Sequence, residues 1–335
     1  MGEKGDQTSP SLLCQFYLHE YHAWPVSTSV IELFDSSWWI WRVVVHYTFF
    51  TSPNPDNKGI PSINSPADAA GSAKICFPAL QPLVSHHDAY LVACYSAHPL
   101  VQMLKNECEK HITSATGRGS RKKYVTGIFE ASCLVSLGLV GNSSSASSST
   151  LDTGGSDSNT NNNTKGGNGN SDVESNGFGF GIVSTGKIWE EALGRAVNEF
   201  LGLGLESDST SLSKRSSPRG RFYGCETTGL NASELHDLPA EEVRRKMMDA
   251  TRRLLRRGRI TASSSALRQA SGGDGRSSAV KAICLGCAGM VGLESAVREA
   301  CIEELGSEEA GNNVAIVDGV KAGVGVLYGL VKCGF

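Results

Sequence analysis

The sequence predicts an α/β protein in two halves related by a pseudo-two-fold, each half a parallel sheet with helices on both faces. Three observations carry that expectation. Short β-branched runs alternate with longer helical patterns along most of the chain, and strands alternating with helices of that length build parallel sheets. Two strand ends in opposite halves of the chain look alike, each closing on a cysteine, and self-similarity of that kind marks a repeated unit. Three Ser-, Asn- and Gly-rich stretches, 142–176, 206–220 and 261–278, are too poor in apolar residues to order themselves, yet strongly patterned segments flank each one. They are expected as surface insertions into a folded body.

Taken in order, strands are expected at 43–47, 90–93, 124–128, 178–183, 279–285 and 314–317. Helices are expected at 99–111, 131–139, 187–201, 293–305 and 320–331. A further helix at 239–257 has Pro239 in its first turn, where a missing N–H costs nothing, with Glu241 and Glu242 beside it. It ends in Arg252, Arg253, Arg256 and Arg257. The helix dipole favours cations there, and contact with nucleic acid is the lesser reading of that cluster. Segment 38–50 is apolar, but Arg42 and His46 interrupt it, so it is expected as a buried strand behind an aromatic cluster.

Composition bounds the function. With 335 residues and 40% hydrophobic content, the chain is long enough for one large or two small domains. A net charge of −3 gives no global attraction to nucleic acid or an anionic membrane. No run of about 18 apolar residues suits a membrane-spanning helix, and residues 1–10 lack the apolar core of a signal peptide. The ten cysteines are scattered, as reduced thiols in a cytoplasmic protein would be. The glycosylation sequons at Asn142, Asn162 and Asn231 are then chance matches.

In a parallel α/β sheet, ligands bind beyond the carboxyl ends of the strands. Two such ends are Ala89-Tyr90-Leu91-Val92-Ala93-Cys94-Tyr95-Ser96 and Lys281-Ala282-Ile283-Cys284-Leu285-Gly286-Cys287-Ala288-Gly289-Met290. Each runs through apolar residues to a cysteine in the turn before a helix. Inverting a carbon acid needs a base on one face and an acid on the other. Two thiols can exchange those roles, since free cysteine titrates near about 8.5, and a following helix N-terminus favours the thiolate. The same pattern fits two buried core cysteines, and the residues alone leave both readings open.

Here the residues resemble a known family. Leu-Val-Ala-Cys-Tyr-Ser-Ala-His-Pro-Leu at 91–100 and Ile-Cys-Leu-Gly-Cys-Ala-Gly-Met at 283–290 resemble the two cysteine motifs of the Asp/Glu/hydantoin racemase family, nearest its hydantoin and allantoin branch. Gly127-Ile128-Phe129-Glu130-Ala131-Ser132 resembles the strand opening that family's second half. Segments 180–190 and 317–323 resemble its later strand–helix turns. The resemblance runs from about residue 50 to 331, outside the insertions. It implies an aspartate-racemase-like fold of two Rossmann-like halves with the active site between them. The first would be 43–120 plus 313–335 and the second 121–312.

The resemblance implies a cofactor-independent racemase or epimerase, an isomerase needing no metal, nucleotide or pyridoxal group. It would act on a small hydantoin-like ring by proton transfer between Cys94 and Cys287. Tyr95, Ser96, Ala288 and Gly289 would hold the substrate after each cysteine. Ser184, Thr185 and Gly186 would line the same cleft. Glu130 would either face the ligand or cap the helix after it, and His98 would either start a helix or serve as a ligand group. Homo-oligomers are usual in the family. Neither nucleic acid nor membrane is an expected partner.

Two alternatives remain. An aspartate or glutamate racemase typically has Asn-Thr and Thr-His after its cysteines. Tyr95-Ser96 and Ala288-Gly289 suit a less charged ring better. The family also opens on a strand ending in Asn-Pro-Asn-Ser/Thr, due here near residue 27. Residues 26–30 read Val-Ser-Thr-Ser-Val instead. Segment 30–37 could mimic the strand, but little room then remains for the helix after it. Residues 1–42 are therefore expected as a divergent replacement or a non-native start, and a catalytically impaired ligand-binding relative is the second alternative.

Two motifs are near-misses. Gly181 to Ile188 approaches a phosphate-binding loop but has Ile188 where a hydroxyl must hold Mg²⁺. Cys284-Leu285-Gly286-Cys287 has redox spacing, but no second pair accompanies it and Cys284 is expected inside the strand.

Overall fold

A computed structural model describes residues 11–15, 27–32, 44–50, 60, 62–114, 122–141, 178–202, 221–259 and 278–335. The three predicted insertions lie outside the described residues, apart from Ser278.

The first sheet holds β1 (Ser11–Gln15), β2 (Ser27–Glu32), β3 (Val44–Phe50), β4 (Ala89–Val92) and β5 (Tyr124–Gly127), in the order β2-β3-β1-β4-β5. Its strands pair in parallel except for β2, which runs antiparallel to β3 at the edge. The second sheet holds β6 (Gly179–Ser184), β7 (Phe222–Thr227), β8 (Val280–Gly286) and β9 (Ala315–Asp318), in the order β7-β6-β8-β9, all parallel. Leaving aside β2, each sheet therefore has the same order: its second strand, first, third, fourth.

Helices α1 (Pro66–Leu80) and α2 (Pro99–Ser114) belong to the first half. The second contains α4 (Ile188–Phe200), the short α5 (Glu234–Asp237), α6 (Ala240–Arg257), α7 (Glu294–Leu305) and α8 (Glu308–Asn312). Two helices cross over. Helix α3 (Ile128–Val140) leaves β5 and packs on β6, β8 and β9 of the second sheet. Helix α9 (Gly319–Cys333) leaves β9 and packs on β4 and β5 of the first.

Sheet membership thus refines the division at 121 and 313. Strand β5 pairs with β4 and β9 with β8, so helices rather than strands are exchanged between halves.

The burial pattern follows from this layering. Along β4, Ala89 and Leu91 face a central core shared with α3, α9 and the second sheet, while Tyr90 and Val92 face α1 and α2. Along β8, Ala282 and Cys284 face the central core, while Ile283 and Leu285 face α6 and α7. Strands covered on both faces read as continuous apolar runs rather than alternating ones, which is why these strands were visible in the sequence. Close helix approaches need small residues. A side chain on Gly319 would begin 3.1 Å from Ile128 and Ser132 of α3, and one on Gly323 would meet Leu91.

Six elements escape the sequence reading: β1, β2, α1, β7 and the short α5 and α8. Strand β1 falls inside the segment expected to be divergent, yet it pairs in parallel between β3 and β4. Five residues among turn-forming neighbours carry too short a period to register. Helix α1 contains Gly71 and Pro78, both poor helix formers. It starts where the Ser65 hydroxyl accepts the N–H of Asp68, a capping interaction.

The arginines of α6 are spent within the fold. Arg253 Nε lies 2.9 Å from buried Glu226 at the end of β7, and Arg257 pairs with the same carboxylate. Arg256 grips Glu304 of α7 with two hydrogen bonds of 2.8 and 2.9 Å, and Arg252 reaches Glu303. Among the described residues no helix is long and apolar enough to cross a membrane.

Glu226 is buried and takes two half-exposed arginines. Glu226→Gln is therefore expected to lower stability by about 2 kcal/mol, read as a shift of the urea midpoint with unchanged slope.

Candidate functional site

Cys94 and Cys287 line one cavity of about 80 Å³, together with Ser62, Ile63, Tyr95, Thr185, Trp189, Ala232, His236, Ala288 and Gly289. Cys94 lies two residues past the end of β4, and Cys287 directly follows β8. These are the third strands of their sheets, so equivalent positions of the two halves supply the two thiols. Among the lining side chains none is an Arg, Lys, Asp or Glu.

The local geometry at each thiol differs. Cys94 is buried, and its Sγ lies 3.5 Å from the Ser96 hydroxyl. Burial pushes its pKa up to about 12, Ser96 opposing and Cys287 and Glu130 adding to the rise. Cys287 is half-buried, at the start of a short 3₁₀ turn (Ala288–Met290). Burial raises its pKa too, with the backbone N–H of Gly289 favouring the thiolate. Burial thus disfavours the thiolate at both sulfurs.

Gly286, just before Cys287, must be a glycine. A side chain there would begin 2.8 Å from the Val183 carbonyl oxygen and 2.7 Å from Ser184 Cβ on β6. The Ser184 hydroxyl donates to the Gly286 carbonyl at 2.8 Å. This tight join fixes where Cys287 starts.

The other predicted residues divide. Tyr95, Thr185, Ala288 and Gly289 line the cavity with the thiols. Ser96 stands behind Cys94 as its hydrogen-bond neighbour. Ser184 is buried with its hydroxyl committed to Gly286, and Gly186 gives its carbonyl to the N–H of Trp189 at the start of α4. Neither Ser184 nor Gly186 is among the residues lining this cavity, and the β6 turn uses both in its own hydrogen bonds.

Glu130 is also absent from the lining. Its carboxylate lies against the N–H groups of Gly127 and Glu130 at the start of α3, with Oε2 buried and without a hydrogen-bond partner. Burial raises its pKa. This is the helix-capping alternative, with Glu130 still close enough to Cys94 for its charge to be felt there. His98 is buried, its Nδ1 accepts the N–H of Leu100, and burial lowers its pKa to about 4. It starts α2.

The near-misses resolve with the strands. Gly181, Ile182 and Val183 are strand residues of β6, so no phosphate-binding loop forms. Cys284 faces away from the cavity, 3.1 Å from the Ser136 hydroxyl of α3. Tyr95 crosses from the cavity into this same interface, its hydroxyl ending beside Cys284 and Ser132. Among the described residues no three His, Cys, Asp or Glu side chains are grouped as metal ligands would be.

Sequence reasoning missed Ser62, Ile63, Trp189, Ala232 and His236. Four of them come from two loop regions, one from each half, the second including the short α5 that carries His236. The loops are joined where the Ala232 N–H donates to Asn64 Oδ1 at 3.2 Å. Their one legible signal is position: residues 230–236 follow the carboxyl end of a strand.

Fold and site together define an α/β protein whose two parallel sheets each bring a strand-end thiol to one uncharged cavity. No protein-family model matches the chain. A protein of Schizosaccharomyces pombe described as uncharacterized is 27% identical over 288 residues, covering 86% of this chain and 80% of its own length. The crystal structure of an allantoin racemase from Pseudomonas fluorescens superposes with a TM-score of 0.45 at 17% identity, over 86% of this chain and 80% of that one. An allantoin racemase from Klebsiella pneumoniae gives a TM-score of 0.45 at 16% identity, over 87% and 77%. Scores this low define neither fold nor chemistry by themselves; both rest on the strands and side chains described above.

The unequal thiols give a direct test. With iodoacetamide, Cys287 should be alkylated well before Cys94, with exposed Cys333 as the fast reference in peptide mapping. Only the thiolate reacts. For a thiol whose pKa is raised, the rate should climb about tenfold per pH unit and keep climbing above pH 9.

Proposed function

We propose that this chain is a cofactor-independent racemase or epimerase acting on a hydantoin-like ring such as allantoin. The observation that carries the reading is the pair of thiols, one from each sheet, lining a cavity among whose lining side chains none is an Arg, Lys, Asp or Glu. One sulfur, as thiolate, takes the hydrogen from the ring stereocentre, and the electron pair left on carbon delocalises into the adjacent carbonyl. The other sulfur, as thiol, gives its proton to the opposite face. The two sulfurs end the turnover with their protonation states exchanged. Atoms and charge balance without a cofactor.

The cavity's chemistry supports a ring over a free amino acid. An amino acid would bring a carboxylate and an ammonium into the site, and burying such charges without partners is costly. A hydantoin-type ring is neutral and flat, and offers amide N–H and C=O groups that Thr185, Ser62 and backbone can meet. Its two flanking amides also acidify the stereocentre hydrogen. The amino-acid racemase and the impaired ligand-binding protein remain as outcomes of the test.

The test follows the stereocentre hydrogen in D₂O, together with optical rotation, on single-enantiomer allantoin, a five-substituted hydantoin, aspartate and glutamate. Exchange with decay of rotation on the ring substrates is expected, falling at least about 100-fold in Cys94→Ala and in Cys287→Ala. Exchange on aspartate or glutamate alone would replace the ring by an amino acid. Binding without exchange on any of them would leave a ligand-binding protein.

A further inference from the structure

The cavity contains one ionisable side chain that the two-thiol scheme leaves idle. His236 lines it alongside both cysteines. A side chain on Gly289 would begin 3.2 Å from His236 Nε2 and 3.7 Å from Cys287 Sγ. Imidazole and thiol therefore flank the same small space, which is open because Gly289 has no side chain. A ring atom seated there is within reach of both.

The imidazole is free to act. Among the described residues no hydrogen bond or ion pair engages it. The other histidine near a cysteine, His98, is buried with Nδ1 committed to the N–H of Leu100.

The backbone under His236 is well fixed. Its N–H donates to Ser233 O at 3.0 Å, and the Asn231 N–H donates to the Glu234 carboxylate at 2.7 Å. Leu235 is buried in the core of the second half. The Ala232 N–H is held by Asn64 of the first half. A side chain on a turn anchored at three points is positioned, not merely nearby.

A carbon acid flanked by a carbonyl sends its negative charge to the carbonyl oxygen as the proton leaves. Apart from the imidazole, the lining offers that oxygen hydroxyls and backbone N–H groups, and the Gly289 N–H is already turned to Cys287. We infer that His236 is a further catalytic group of this cavity, its Nε2–H donating to the substrate carbonyl next to the stereocentre and holding the charge that develops there. The inference rests on the racemase reading above. No proton is transferred from His236 in this role. The proton balance stays with the two sulfurs.

The test uses the full chain with single-enantiomer allantoin, comparing wild type, His236→Leu and His236→Gln. Removing one donor to a developing oxyanion costs about 100- to 1000-fold in kcat at a closed site. At this half-open one the expected loss in His236→Leu is about 10- to 100-fold in kcat, with a smaller change in KM. His236→Gln keeps an N–H donor and should recover a measurable part of the loss. The alkylation rate of Cys287 and the thermal midpoint should be unchanged in both variants.

An unchanged kcat in His236→Leu would overturn the inference, as would a His236→Gln no better than His236→Leu. A slowed Cys287 alkylation would also overturn it, by showing that the imidazole acts on the thiol and not on the substrate. If the wild type itself exchanges no ring substrate, the racemase reading is what fails, and the role assigned to His236 goes with it.

Discussion

The exchange of α3 and α9 between the two sheets is the constraint on which the rest of the structure depends. Each helix leaves the last strand of one sheet and covers the other, so neither sheet has a complete core without its partner. Cys284, Ser136 and Ser132 show how close this join is, with Cys284 Sγ 3.1 Å from the Ser136 hydroxyl. Glycine makes it possible: Gly319 and Gly323 let α9 lie against α3 and β4, where any side chain would overpack. A cavity built across such a join has fixed walls. Its two thiols cannot drift apart unless the central helix layer comes apart with them.

From that layer the placement of the site follows. Parallel strands end their βα units on the same edge of a sheet. With the two sheets sharing a helix layer, the ends of β4 and β8 come to one opening. Cys94 and Cys287 are then neighbours by topology, and the residues beside them do local work. Ser184 and Gly286 lock β6 to β8, and Ser96 stands beside Cys94. Residues that look like ligand groups in the sequence are in part the fastening of the strand ends.

That distinction sets what was legible in the sequence. Strands buried on both faces and long amphipathic helices announce themselves, and β4, β6, β8, α4, α6 and α9 were all readable. The two cysteines were readable because each ends an apolar run. What the sequence hid were elements without a period. The five residues of β1, the glycine- and proline-bearing α1 and the two cavity loops carry no repeating pattern. β7 carries Glu226 next to its last residue, a charge that marks a surface strand until its two arginines are seen. His236 carried no site signal in the sequence, because only the fold brings it beside Gly289. At the β6 turn, Ser184 and Gly186 carry ligand-like chemistry that also serves local hydrogen bonds.

The inequality of the two thiols bears on how a racemase could run in both directions. A two-base mechanism needs each sulfur to serve as acid in one direction and base in the other, which works best when their pKa values match. The two sulfurs sit in unequal surroundings, Cys94 buried and Cys287 half-buried. A flat neutral ring entering the cavity would exclude water mainly from the Cys287 side, since Cys94 has little water left to lose. Desolvation raises a thiol's pKa, so such a ligand would make the surroundings of Cys287 more like those of Cys94. A charged ligand would not do this: a carboxylate would raise both sulfurs, and an ammonium would lower the nearer one. On the proposed racemase reading, a neutral ligand is therefore the kind that would make the two thiols more alike.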